Sequence, residues 1–177
     1  MPELPEVETT RRGLLPHVVG RRIRDVVVRN PNLRWPVPKH LRGTLQGERV
    51  LAIRRRGKYL LFDTDKGHLL VHLGMSGRIS IVPEGQPAKA HDHVDVQLED
   101  RNALRLTDPR RFGAVVWSPS IDTGRVATLL AGLGLEPFDA AYAKADWSRF
   151  ENLPLFRAVN RMNAYNTYLL MEQEGPR

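Results

Sequence analysis

The sequence predicts a mainly β protein, a sandwich of about eight strands with an N-terminal helix and a helical C-terminal tail. Three observations carry that prediction. Eight short β-prone runs follow one another between residues 23 and 117. Turn residues separate most of them, and helical patterns stand only at the two ends of the chain.

Residues 5–15 read as a short helix. Pro5 suits its first turn, Glu6 and Glu8 suit its positive end, and Arg11 and Arg12 lie toward its negative end. Val7 and Leu14 are its expected buried residues, and Gly13 weakens its end. The strands follow as Ile23–Arg29, Val50–Arg55, Tyr59–Asp63, His68–Leu73, Arg78–Val82, Val94–Glu99, Ala103–Thr107 and Ala114–Trp117. Asp65-Lys66-Gly67, Gly74-Met75-Ser76-Gly77, Asp100-Arg101-Asn102 and Asp108-Pro109 are turn signals, and Pro83–Pro87 is a loop. From Ile121 onward the texture changes. Val126–Leu133 reads as a helix ending at Gly134, and Asp139–Phe150 and Leu155–Met171 read as helices of the tail.

Composition narrows the function. The 177 residues carry a net charge of +7 and no Cys, which removes disulfides, Cys-based zinc or iron–sulfur sites and a thiol nucleophile. No apolar run approaches the roughly 18 residues of a membrane span, and the acidic, proline-rich start is not a secretory signal. A soluble, cytoplasmic protein is expected. Residues 1–62 hold 14 Lys and Arg against 5 Asp and Glu, whereas residues 63–177 hold 13 against 15. The positive excess therefore lies in the first third, as a phosphate-backbone footprint would. A merely solvated basic surface is the plainer alternative.

Pro2 is small enough for the initiator Met1 to be removed. That would expose a secondary amine, and α-amino groups titrate near pH 7.7–8.0. Such an amine can attack an electrophilic sugar carbon and form a cationic Schiff base, with Glu3 beside it to move a proton. The plainer reading is a frayed terminus followed by a helix start. Further on, Met75 and Phe112 each place a large apolar side chain near a turn tip, Phe112 beside Arg110 and Arg111. Apolar wedges beside arginines unstack duplexes, although ordinary hairpin tips would look similar. His91-Asp92-His93 with Asp95 could suggest a metal, since alternate strand residues share a face. That cluster is a weak signal, and no metal site is expected.

The opening Met-Pro-Glu-Leu-Pro-Glu-Val-Glu, followed by Thr9-Thr10-Arg11-Arg12-Gly13, closely resembles the start of bacterial formamidopyrimidine-DNA glycosylases. The resemblance continues through Leu33-Arg34-Trp35-Pro36-Val37, Gly57-Lys58-Tyr59-Leu60-Leu61, His72-Leu73-Gly74-Met75-Ser76-Gly77, His91-Asp92-His93-Val94-Asp95 and Thr107-Asp108-Pro109-Arg110-Arg111-Phe112-Gly113. It implies a base-excision repair enzyme that removes 8-oxoguanine and formamidopyrimidines from damaged double-stranded DNA, then nicks the strand as an abasic-site lyase. By the same resemblance Pro2 is the Schiff-base nucleophile, Glu3 the acid/base, Glu6 a supporting carboxylate and Lys58 the proton donor of β-elimination. His91 becomes a DNA-phosphate contact. Met75, Arg110 and Phe112 fill the hole left by the flipped nucleotide, Arg110 facing the orphaned base.

The resemblance covers roughly residues 1–137, ending at Leu133-Gly134-Leu135-Glu136-Pro137. It divides the chain into a catalytic β-sandwich domain over 1–137 and a helical tail over 138–177, a remnant of or substitute for the family's helix–two-turns–helix domain. Without Cys, the family's zinc finger is not expected, and neither is any cofactor. A monomer is expected, bacterial and associated with the nucleoid through DNA. The alternative is a DNA-binding fragment without enzymatic activity.

Overall fold

The computed structural model describes residues 2–133 and residue 136. The elements run α1 (Leu4–Val18), β1 (Ile23–Val28), α2 (Leu41–Leu45), β2 (Val50–Arg56), β3 (Tyr59–Thr64), β4 (His68–His72), β5 (Arg78–Pro83), β6 (Asp92–Leu98), β7 (Asn102–Thr107), β8 (Ala114–Ser118) and α3 (Gly124–Ala131). The strands form two antiparallel four-stranded sheets, ordered β1-β6-β7-β5 and β2-β3-β4-β8. The sequence reading of eight strands, an N-terminal helix and a helix over the 120s therefore holds. The expected tail helices, Asp139–Phe150 and Leu155–Met171, lie outside the described residues.

The main core fills the space between the sheets with β-branched and leucyl side chains, among them Ile23, Val50, Phe62, Val71, Leu98 and Leu104. In β3 and β4 the apolar residues are consecutive, as in Leu60-Leu61-Phe62 and Leu69-Leu70-Val71, and nearly all are buried. Both faces of that sheet are covered. Leu60, Phe62, Leu69 and Val71 face the sandwich core, while Leu61, Leu70 and Val116 pack on the other side with Val126 of α3 and Trp35. A continuous apolar run is what a strand buried on both faces requires.

Two elements differ from the sequence reading. Helix α1 runs through Gly13 and Pro16 to Val18, three residues beyond the expected end. Val7, Leu14 and Val18 lie on one buried face, and that burial outweighs the local cost of Gly13. Pro16 sits in the last turn. Helix α2 was not foreseen. It has five residues, includes Gly43 and Thr44, and is fixed by burial of Leu41 and Leu45.

Candidate active site

Helix α1 begins at a capping box formed by Glu3 and Glu6, in which the Glu3 backbone N–H donates to the Glu6 carboxylate. Pro2, half-buried, immediately precedes it. The cap fixes where Glu3 emerges, and the Glu3 carboxylate pairs with the Lys58 ammonium at 2.5 Å. Lys58 comes from elsewhere. Gly57 and Lys58 are the two central residues of the β2–β3 hairpin, closed by the Arg56–Tyr59 pair. Gly57 has φ +55°, which a two-residue hairpin turn favours and a side chain resists.

Glu8 joins the helix to that hairpin. Its carboxylate accepts hydrogen bonds from Arg11 at 2.9 and 2.7 Å, from Arg12 at 2.9 Å and from Arg55 at 3.2 Å. Arg55 also donates to the Gly57 carbonyl at 3.0 Å. The Arg11 hydrogen bonds foremost, with those from Arg12 and Arg55, hold the Glu8 carboxyl down to about 2. One carboxylate thus ties the helix that carries Glu3 to the turn that carries Lys58. The sequence reading assigned Glu8 only to the helix dipole, and nothing local in the sequence links it to Arg55.

A second cluster forms at one end of the sandwich. Met75 and Phe112 are large apolar side chains left 40% and 45% exposed at neighbouring loop tips. The Arg110 guanidinium lies over the Phe112 ring, 5.1 Å from its centroid. Gly74, at φ +65°, lies so close to the Phe112–Gly113 backbone that a Cβ there would collide with it. Asp108 is fully buried beneath these tips. Its carboxylate accepts from the Ser76 hydroxyl at 2.9 Å and from the Gly113 N–H at 2.7 Å. His91 is exposed, and its carbonyl accepts from the Asp108 N–H at 2.9 Å. The structure therefore brings Met75, Arg110, Phe112 and His91 to one end, and Glu3, Glu6 and Lys58 to one corner.

His72, given no role by sequence, stands between the clusters. Its Nδ1 accepts from the Gly74 N–H at 3.0 Å, and its ring lies 4.9 Å from that of Tyr59, next to Lys58. Burial foremost, then the positive charges of Arg34 and Lys58, push its pKa below the ordinary 6.5.

The His91–Asp95 stretch does not gather ligands. A bulge between Asp92 and Val94 breaks the strand alternation. His93 bonds the Asp108 carbonyl at 2.8 Å, and Asp95 is taken by Arg29 and Arg105 at 2.6 and 2.8 Å. Among the described residues no group of His, Asp and Glu could hold a metal ion.

The charge footprint also moves. Arg11, Arg12 and Arg55 pair with Glu8, Arg24 with Glu84, Arg29 with Asp95, Arg42 with Asp25 and Arg54 with Asp63. Much of the basic first third is neutralised within the fold. Arg22, Arg34, Lys39 and Arg49 of the first third, and Arg78, Lys89, Arg110 and Arg111 beyond it, are exposed and, among the described residues, have no carboxylate in ion-pair reach.

The family model described as the formamidopyrimidine-DNA glycosylase N-terminal domain matches residues 1–115. The chain belongs to that family. It is 54% identical over 142 residues to the formamidopyrimidine-DNA glycosylase of Stenotrophomonas maltophilia strain R551-3, covering 80% of this chain and 52% of the relative. The Methylococcus capsulatus relative is 54% identical over 170 residues, 96% of this chain and 59% of its own length, so that match reaches past Pro137. The Lactococcus lactis enzyme, solved non-covalently bound to DNA containing an abasic site, superposes with a TM-score of 0.69 at 33% identity, over 77% of this chain and 52% of that one. The chain spans about half the length of the curated relatives it matches.

Proposed function

We propose that this chain acts on damaged double-stranded DNA in base-excision repair, removing oxidised purines such as 8-oxoguanine and formamidopyrimidines and nicking the abasic site. The observation that carries the reading is the Glu3–Lys58 pair. Two residues 55 positions apart meet at 2.5 Å, directly beside Pro2.

With Met1 removed, the neutral Pro2 amine attacks C1′ of the damaged nucleotide. The N-glycosidic bond breaks, its electron pair leaves with the base, and the proton shed by the Pro2 nitrogen passes to the departing base. Glu3 donates a proton to the ring oxygen as the sugar opens to the cationic Schiff base. Glu3, now a carboxylate, takes a C2′ proton as the C3′–O bond breaks, and the 3′ phosphate leaves with that electron pair and a proton from Lys58. Water hydrolyses the Schiff base and returns the amine. The chemistry needs an amine and two proton-transfer groups, so we assign it no cofactor. His91 and the unpaired cations contact phosphates. Met75 and Phe112 fill the vacated stack, and Arg110 faces the orphaned base.

Borohydride reduction tests this by trapping the Schiff base on abasic-site DNA. Trapping by the processed chain and none by a Met1-retaining chain is expected. Equal trapping by both refutes Pro2 and points to Lys58. A second reading, DNA binding without chemistry, rests on the exposed cations Arg110 and Arg111 beside Phe112. It predicts a salt-dependent mobility shift with no trapped adduct.

A further inference from the structure

We propose that Ser76 and Asp108 are positioning residues that lock Met75, Arg110 and Phe112 into one rigid prong, so that discrimination of the base opposite a lesion depends on a hydrogen-bonded joint between two loops. The recognition half of this inference rests on the reading of Arg110 as the base-facing side chain.

The joint is a short relay. The Arg110 N–H donates to the Ser76 hydroxyl at 3.3 Å, and that hydroxyl donates to Asp108 Oδ1 at 2.9 Å. Oδ2 of the same carboxylate accepts from the Gly113 N–H at 2.7 Å. The Asp108 carbonyl accepts from the Arg111 N–H at 3.3 Å and from the His93 ring at 2.8 Å. Since a carbonyl only accepts, this places a proton on His93 Nε2. The Asp108 N–H is used as well, on the His91 carbonyl. Every polar group of this fully buried residue is therefore satisfied, as burial of a carboxylate requires. Ser76, Arg111 and Gly113 belong to the two loops, while His91 and His93 tie the residue to the start of β6.

Sterics point the same way. Gly74 lets the first loop approach the Phe112–Gly113 backbone, and a Cβ on Gly113 would press on Asp108 Oδ2 and the His72 carbonyl, each at 2.9 Å. Arg111 holds φ +57°, a conformation that side-chain-bearing residues avoid unless their surroundings enforce it. Met75 and Arg110 are long and rotamer-rich, and beyond the Arg110–Phe112 contact the three tips are exposed in the free protein. Fixing their backbones in advance reduces the ordering left to be done on DNA. The Ser76 hydroxyl bridges the two loops, linking the backbone of Arg110 and the Asp108 carboxylate to the turn that carries Met75.

The test uses the full chain, its Ser76→Ala and Ser76→Thr variants, and duplexes carrying a tetrahydrofuran abasic analogue opposite cytosine or adenine. The readout is the ratio of the two affinities, which a uniform loss of binding does not move. Ser76→Ala is expected to lower that ratio about fivefold, the worth of one net hydrogen bond, and Ser76→Thr to restore it. In the DNA-free protein, amide exchange at Arg110 and Gly113 should accelerate in Ser76→Ala while amides of β3 and β4 stay protected. An unchanged ratio with unchanged exchange overturns the proposal, as does a loss of protection spread through the strands. A wild-type chain with no opposite-base preference overturns the Arg110 reading and the recognition half with it. The exchange measurement then decides the joint alone.

Discussion

The amino-terminal corner and the loop prong solve opposite problems. The corner is dense in charge and consumes it internally. Glu8 takes three arginines, and Glu3 takes Lys58. The prong is built on one buried carboxylate whose partners are a hydroxyl and backbone N–H groups, and it leaves its cations outward. A corner that moves protons needs acids and bases in contact. A surface that meets phosphates needs cations without internal acids. Under the proposed function, net charge along the chain is a poor guide to the DNA-facing surface, since most arginines of the basic first third are paired within the fold.

The largest expected effect would break the assignment of chemistry to the corner. Glu3→Gln keeps the helix start and removes the carboxylate's proton chemistry. Nicking at a preformed abasic site should fall by about 100-fold or more, the usual share of a general acid/base. The melting temperature should barely change, because Glu3 is 55% exposed and pairs of such exposure contribute little to stability. A nicking rate within a few-fold of wild type would remove Glu3 from the mechanism.

A smaller effect sharpens the contrast in charge. Lys89→Ala combined with Arg78→Ala should flatten the dependence of DNA affinity on salt, by about 0.9 in logarithmic slope for each phosphate no longer neutralised. Arg54→Ala should leave the slope alone, because its guanidinium is committed to Asp63 at 2.5 and 2.7 Å. A flatter slope in Arg54→Ala, and none in the double variant, would return the footprint to the first third.

Much of this was legible in the sequence, and the failures share a cause. All eight strands could be read because each is short, apolar and bounded by turn residues. Helix α2 could not, because Leu41 and Leu45 are helical through burial rather than through propensity. Pro2, Glu3, Lys58, Met75, Arg110 and Phe112 were singled out by chemical type and by resemblance. The residues that position them were not. Asp108 read as a turn former before Pro109, and only the fold reveals Ser76 as its partner 32 residues away. The same holds for Glu8 with Arg55 and for Arg54 with Asp63, pairs that no local pattern encodes.

The smallest expected effect concerns His72, a side chain that reaches toward both regions. Its Nδ1 accepts the Gly74 N–H, so the ring must be neutral on that edge. Burial, Arg34 and Lys58 all disfavour the imidazolium, the last partly offset by its pairing with Glu3. A folded-state pKa below 6.5 means that the unfolded chain takes up the proton first. The His72 contribution to stability is therefore complete above about pH 6.5 and is lost as pH falls through the lowered folded value. Protonation also removes the acceptor that holds Gly74, at a cost of about 1 kcal/mol for one hydrogen bond. From about pH 6.5, the ordinary imidazole value, down to the onset of acid unfolding, the Gly74 amide should lose exchange protection while amides of β3 keep theirs. His72→Gln should abolish that pH dependence. A Gly74 amide that stays protected across the range would show that the prong is held by Asp108 alone and that the corner's charges do not reach it.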